Sequence, residues 1–424
     1  MPLKFPAGLT SARLRQLWYV PVLAAAMGLM LVRLLVMARL LDVAAFATYS
    51  AGLLVSSSFG MLACLGLQSL LQRDLPVMIV RRRERAGAVL IVQCTLVAAA
   101  CAAVGAGTAA AGLSLAGLSP ALLAVAMVHG LSQQLFLIAT VESRSRGEPL
   151  RFARQHLQRA LAVLAAGAIM AGTSRHAGAV LAIEAALSLA LAAKLLRHQV
   201  HAVPLAMGTA CRLAWRRMPA LQWRSALALL AVASLGFLMI NADRWLAAQW
   251  LETALFGQYA FAWTVLMVAQ SLQVVINASL FPLLARRFAH LGPAAAYRIG
   301  AKASLGMLLV GGLAALPVWY LLDAAILRWF AVYSGARTLL PAFLAIAVLR
   351  VSDFWSSYLV IVGKEARLLG LNLLTALGTG LVWWVWRRPD AASVGPLDIA
   401  ALAMLLAVAG YAVAAAAAWR AGHD

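Results

Sequence analysis

A small set of ionisable side chains lies inside long apolar runs: Arg33, Arg39, Glu184, Asp243, Arg244, Arg350 and Asp353. Taking a charge out of water is costly unless it is paired or hydrogen-bonded, so each of these must have a partner or a task. A guanidinium is a planar fork that engages a carboxylate or a phosphate through two hydrogen bonds. Arg33, in the middle of its run, therefore reads as a cation that meets a phosphate-bearing ligand. A structural pair with Asp243 or Asp353 is the competing account. Arg350 and Asp353 are three residues apart, which puts them on one face of a helix. They form either a self-contained ion pair or a site in which Arg350 faces an anion while Asp353 carries a proton. Glu184 is a proton-site candidate or a buried neutral acid, Asp243-Arg244 reads as an ion site or an interfacial salt bridge, and Arg39 is near enough to the end of its run to reach an interface.

Softer polar groups follow helical spacing. Gln270, Gln273 and Asn277 form one stripe; Ser132, Gln133 and Gln134, with His129 a turn earlier, form another. Such stripes serve interhelical hydrogen bonds or hold a polar ligand such as a sugar. Trp355 and Tyr358 lie close to Asp353 and offer aromatic faces suited to sugar rings, or else face lipid. Bond-breaking chemistry has no candidate. No H-E-x-x-H occurs among the seven histidines, and the four cysteines (Cys64, Cys94, Cys101, Cys211) lack metal-ligand or paired spacing. Neither a metal nor another cofactor is expected.

The elements that must position these groups are membrane spans. Of 424 residues 64% are apolar and 12% charged, against about 45–50% and about 25% in a soluble domain, so the surface must be lipid-facing. Runs long enough to cross a hydrocarbon core of about 30 Å place helices at 19–41, 49–71, 86–112, 119–141, 156–172, 176–196, 224–246, 256–281, 300–321, 340–362, 367–386 and 398–419. The fold expected is an all-α polytopic membrane protein of about twelve transmembrane helices. Most Lys and Arg residues fall in alternate connections, beginning with Lys4, Arg13 and Arg15 and continuing through Arg81–Arg83, Arg144–Arg159 and Arg212–Arg217. By the positive-inside rule these connections and both termini are cytoplasmic, in the inner membrane of a bacterium. That placement also explains the net charge of +21 without nucleic acid. The outer connections are short, which argues against an enzyme built on a large external loop.

Two stretches repeat at an offset of 210 residues: Asp42-Val-Ala-Ala-Phe46-Ala47-Thr-Tyr49 and Glu252-Thr-Ala-Leu-Phe256-Gly257-Gln-Tyr259. Six helices separate them, so the halves have the same orientation, as in transporters that rock two repeats about a central site. The expected organisation is a six-helix bundle over 1–200, a cytoplasmic linker over 201–223 and a second six-helix bundle over 224–424.

The run from Arg33 through Ala38-Arg39-Leu-Leu-Asp42 to Phe46 and Tyr49 resembles the first-helix signature of the polysaccharide (Wzx-type) flippases. Asn241-Ala-Asp243-Arg244-Trp, Phe256-Gly257-Gln-Tyr259 and Phe281-Pro282 resemble that family's seventh and eighth helices; Ala47 departs from the family's usual glycine. The resemblance implies the fold of the multidrug/oligosaccharidyl-lipid/polysaccharide exporter superfamily and alternating access. It also implies a polyprenyl-diphosphate-linked oligosaccharide as substrate, for O-antigen, capsule or exopolysaccharide assembly. The protein would work as a monomer in the phospholipid bilayer, alongside a polysaccharide polymerase and other assembly proteins. On that reading Arg33, Arg39, Arg350, Gln134, Gln273, Asn277, Trp355 and Tyr358 line the cavity, and Asp353, Asp243, Arg244 and Glu184 serve ion coupling or pairing. A multidrug exporter of the same fold and a membrane enzyme of polysaccharide assembly are the alternatives.

Overall fold

In the computed structural model every regular element is helical among the described residues, which are 18–112, 115–201, 206–386 and 394–423. Lys4, Arg13, Arg15, Arg387 and Arg388 of the charge pattern lie outside them. The helices are α1 (Tyr19–Leu40), α2 (Val43–Ala63), α3 (Leu67–Val80), α4 (Glu84–Ala110), α5 (Pro120–Ser145), α6 (Pro149–Ser174), α7 (Ala177–His201), α8 (Met207–Arg216), α9 (Trp223–Trp250), α10 (Thr253–Trp329), α11 (Leu340–Val351), α12 (Trp355–Ile361), α13 (Glu365–Trp386) and α14 (Pro396–His423). Among the described residues twelve segments are long and apolar enough to cross a membrane. The chain is an all-α polytopic membrane protein.

The chain divides into two compact units, one of residues 1–41 and 51–233, the other of 42–50 and 234–424. In the first, α1 packs on α6, α5 on α4 and α7, and α6 on α7, with α8 against α4. In the second, α10 packs on α11, and α14 gathers α10, α11, α12 and α13. Leu305, Leu309, Leu313, Leu316 and Leu321 on α10, and Leu374, Leu377 and Leu381 on α13, are all exposed. In water this would be a large aggregation surface; in hydrocarbon it carries no penalty.

Helix boundaries differ from the sequence reading where local capping intervenes. The second and eighth spans start earlier than apolarity alone suggests, because the acid of each repeat stands at a helix N-terminus. Asp42 Oδ1 accepts from Ala45 N at 2.7 Å, capping α2, and Glu252 is the N-cap residue of α10. The predicted span 49–71 is in fact α2 followed by a turn and a new helix, α3. The turn places Leu65 (φ 47°) and Gly66 (φ 81°) in the left-handed region. A Cβ at Gly66 would lie 1.9 Å from the carbonyl oxygen of Ala226, so only glycine lets α9 cross here. The eighth and ninth spans run into one another through a kink at Gly292 (φ 79°), where the sequence suggested a long loop.

The two repeats bury the same positions. Phe46, Ala47 and Tyr49 are buried, as are Phe256, Gly257 and Tyr259, while Asp42 and Glu252 are exposed. All of them lie in the second unit, where they meet. A Cβ at Gly257 would stand 2.7 Å from Val43 O and 3.5 Å from the Ala47 methyl. The first repeat thus has alanine where the second has glycine, and the glycine leaves room for Val43.

Gly66→Ala is expected to lower the thermal stability of the purified protein by at least about 1–3 kcal/mol, the range for one strained backbone position, with further loss from the clash on Ala226. An unchanged Tm in detergent would mean that the turn can be re-formed without glycine.

Candidate functional site

The buried charges fall into two groups, one in each unit. In the first unit Arg33 Nη1 lies 3.1 Å from Glu184 Oε2, with Arg33 4% exposed and Glu184 fully buried. His129 Nε2 lies 3.4 Å from the same Glu184 oxygen, and its Nδ1 faces Ser56 Oγ at 2.7 Å and Gln133 Nε2 at 3.2 Å. Helices α1, α2, α5 and α7 therefore meet in one polar chain. Arg159 stands apart on α6, with Nε donating to Ser188 Oγ at 3.1 Å and its guanidinium 5.0 Å from the Phe136 ring centroid. Ser188 and the Phe136 ring hold this second guanidinium, whose Nη2 is buried without a hydrogen-bond partner among the described residues.

The partner of Arg33 is thus Glu184, not Asp243 or Asp353. Nothing in the sequence distance, 151 residues, could have ranked the three acids. Arg159 was read as part of a basic cytoplasmic stretch, but it lies in the third turn of α6 and is buried. Its apolar neighbours follow it rather than precede it, which hid the signal. Gln134 donates to Gln68 Oε1 on α3 at 2.6 Å and so bonds helix to helix, whereas Gln133 bonds His129 within α5. Arg39 is exposed in the last turn of α1, where a cation complements the helix dipole.

In the second unit Asp243 is buried and accepts from Tyr259 Oη at 2.8 Å and Trp263 Nε1 at 3.1 Å. Tyr259 is the repeat tyrosine, so the motif supplies a donor to an intramembrane acid. Arg244 does not pair with Asp243, since adjacent residues diverge on a helix. Its guanidinium lies 4.1 Å from the Trp263 ring centroid and contacts Asn241 Oδ1 at 3.4 Å. The helix continues to Trp250, so these residues are well inside it and not at an interface.

Arg350 and Asp353 also part company. Helix α11 ends at Val351, and Asp353 caps the short helix α12, accepting from Ser356 N at 3.2 Å and Ser356 Oγ at 2.7 Å. The shared helix face predicted for them does not exist, because the helix breaks between them. Arg350 Nη2 donates to Ile240 O at 3.2 Å, while Nη1 is buried with no hydrogen-bond partner among the described residues. Both residues line one cavity of about 220 Å³, together with Gly236, Ser356, Asn372 and Tyr411. The Tyr411 hydroxyl is likewise buried without a partner. A cation, a carboxylate, an amide side chain and a serine thus line one space within this unit.

Trp355 and Tyr358, expected beside a ligand, are packed in the core with Ala296, Ala414, Ala417 and Ala418. Tyr358 Oη donates to Ala421 O at 3.1 Å. Their faces are taken by protein. Gln273 is half-buried on α10, and the side chain of Asn277 lies outside the described residues.

No protein-family model matches the chain, and no curated protein matches it in sequence. Solved structures match along nearly its whole length. The eukaryotic MATE transporter AtDTX14 aligns at 11% identity and a TM-score of 0.60, covering 97% of this chain and 99% of its own. The lipid II flippase MurJ in an inward closed conformation aligns at 9% identity and 0.60, covering 95% and 87%. A mutant of the Vibrio cholerae MATE transporter VcmN aligns at 16% identity and 0.58, covering 96% of both chains. The fold is the one these transporters and this flippase share.

Removing one member of a buried ion pair strands the other and costs about 3–5 kcal/mol, whereas replacing both by apolar groups is often neutral. Arg33→Met alone is therefore expected to lower Tm and abundance, and Arg33→Met/Glu184→Leu to restore both. A single variant as stable as the wild type would show that the pair does not hold α1 to α7.

Proposed function

We propose that this protein is a flippase that moves a polyprenyl-diphosphate-linked oligosaccharide from the cytoplasmic to the periplasmic leaflet for cell-surface polysaccharide assembly. The observation that carries the reading is Arg350, a half-buried cation inside a membrane span that lines a cavity shared with Asp353, Ser356 and Asn372. A guanidinium fork suits a phosphate oxygen, and amide and hydroxyl groups suit the adjoining polar headgroup. A cationic drug would meet the Arg350 guanidinium there, with Asp353 as its counter-charge, so the multidrug alternative, which the MATE-like fold alone would allow, is the weaker one. Fold by itself does not choose between substrates. The resemblance of the Arg33–Tyr49 and Asn241–Tyr259 stretches to polysaccharide flippases points the same way.

In this reading the halves 1–200 and 224–424 are the two moving bundles, 201–223 is their cytoplasmic connection, and alternate exposure of the Arg350 cavity carries the headgroup across. The protein sits in a bacterial inner membrane with both termini in the cytoplasm, acts as a monomer and makes no covalent change to its substrate. Arg350 holds phosphate. Asp353, beside it on the cavity, carries the coupling proton, and the closed Arg33–Glu184–His129 chain keeps the first unit intact through the cycle.

Proteoliposomes loaded with a labelled polyprenyl-diphosphate-linked sugar test this directly, because sugar that has crossed becomes accessible to a membrane-impermeant reagent. Arg350→Ala should raise the substrate level needed for half-maximal transport about 10–100-fold, the loss of a hydrogen bond to a charged group. Arg350→Lys should recover part of it, since a point charge lacks the fork. Wild-type protein that moves a cationic dye and not the lipid-linked sugar would overturn the assignment.

Asp353→Asn keeps an acceptor for Ser356 N, and asparagine is as good a helix cap as aspartate. Its Tm should stay within about 1 kcal/mol of wild type while transport loses its response to an imposed pH gradient. A destabilised variant with a normal pH response would make Asp353 a structural cap only.

A further inference from the structure

Helix α8 (Met207–Arg216) spans the connection between the two repeats and has one protein-facing side. Ala210 and Ala214, one turn apart, are fully buried against Val89 and Val92 of α4, with Cys211 and Leu213 alongside. Gln93 Nε2 fixes the helix end by donating to Ala214 O at 3.2 Å. The opposite side carries Arg212 and Arg216, followed by Arg217, all exposed, and Trp215 at the flank is 72% exposed.

Among the described residues no ion pair involves these arginines. The chain has neither Asp nor Glu anywhere between Glu184 and Asp243. The turn before α4 and its first residues add more positive charge, with Arg81, Arg82, Arg83 and Arg85 all exposed. Its one acid there, Glu84, already contacts Arg146 Nη1 at 3.3 Å. The depth of α8 is also defined. Its contacts on α4 fall at positions 89–96, just where the charges of that span end and its apolar run begins. A helix held at that level stands at the boundary between hydrocarbon and headgroups. An exposed indole prefers that boundary, and arginine stems reach from it toward phosphates.

We infer that the outward face of α8, formed by Arg212, Arg216 and Arg217 with Trp215 at its edge, binds the anionic headgroups of phospholipids. The protein-facing side is sealed by alanines, so the arginines point away from the fold, and the negative charge they need must come from the membrane surface. The indole sets this face apart from a patch for a water-borne acidic partner. Each basic residue near an anionic surface contributes about a fivefold gain in association, and three give about 100-fold. The inference is independent of the substrate assignment, because lipid binding is read without transport.

The test uses full-length protein in nanodiscs of phosphatidylcholine containing a minor fraction of phosphatidylglycerol. Retained phosphatidylglycerol is counted by native mass spectrometry after mild delipidation. Wild type should retain phosphatidylglycerol over phosphatidylcholine, and less of it as salt rises, because screening weakens surface charge interactions. Arg212→Gln/Arg216→Gln/Arg217→Gln should lose the preference by about 100-fold, and the matching triple lysine variant should keep most of it. Trp215→Ala should weaken retention of both lipids without changing the preference. Melting temperatures in pure phosphatidylcholine check that α8 remains docked, since Ala210, Ala214 and Gln93 are untouched. Equal retention by wild type and the glutamine variant would overturn the inference and leave the arginines as topology determinants only. A preference that is insensitive to salt would overturn it as well, since it would point to a buried lipid site elsewhere.

Discussion

A polar group inside hydrocarbon has no water to fall back on, and every unusual feature of this chain answers to that constraint. Helices satisfy the backbone internally, so the fold problem reduces to the few side chains that carry charge. In the first unit one group of charges closes on itself, while Arg159 Nη2 is left unbonded among the described residues. Arg33, Glu184, His129, Ser56 and Gln133 satisfy one another across α1, α2, α5 and α7. Burying such a chain is a weak source of net stability but a strong source of specificity, because any other packing of those helices would strand a charge. In the second unit closure is incomplete. Asp243 is satisfied by Tyr259 and Trp263, whereas Arg350 and Tyr411 keep donors that no described protein atom meets.

That contrast separates structural charge from working charge. A residue whose hydrogen-bonding capacity is filled by its own protein has nothing left for a ligand without breaking something. Arg33 attracts attention in the sequence because it is mid-span, yet position alone does not say whether a cation is spoken for. Arg350 is held by one hydrogen bond to the Ile240 carbonyl and lines the cavity, with Nη1 left unbonded among the described residues. A group fixed by one contact and open at another is pre-organised for a ligand, and less ordering entropy is lost when the ligand arrives.

The number and character of the spans were legible in the sequence because hydrophobic length is a one-dimensional property. The repeat was legible too, since Phe46/Phe256 and Tyr49/Tyr259 retain side chains that the packing requires at both places. What escaped were three-dimensional matters. The helix break at residues 352–354 depends on Asp353 bonding forward to Ser356 rather than back to Arg350, a choice made locally but invisible to a count of spacings. The burial of Arg159 depends on Ser188 and Phe136 from other helices. Trp355 and Tyr358 carry the side chains of a sugar platform, but alanines on α14 accept their faces. Aromatic content predicts contact without saying with what.

The charge pattern outside the spans follows from the same constraint at its edge. Basic connections fix orientation because moving them through hydrocarbon is costly, yet orientation needs only that the charges exist, not that they be arranged. The connection at α8 goes further than topology demands. It folds into a helix, seals one side with Ala210 and Ala214, and directs its arginines away from the protein over a stretch without acids. A disordered loop of the same composition would satisfy the positive-inside rule equally well. The added order fixes where the charge sits relative to α4, and a fixed distance from the apolar run is useful only if the membrane surface itself is what the charge must meet.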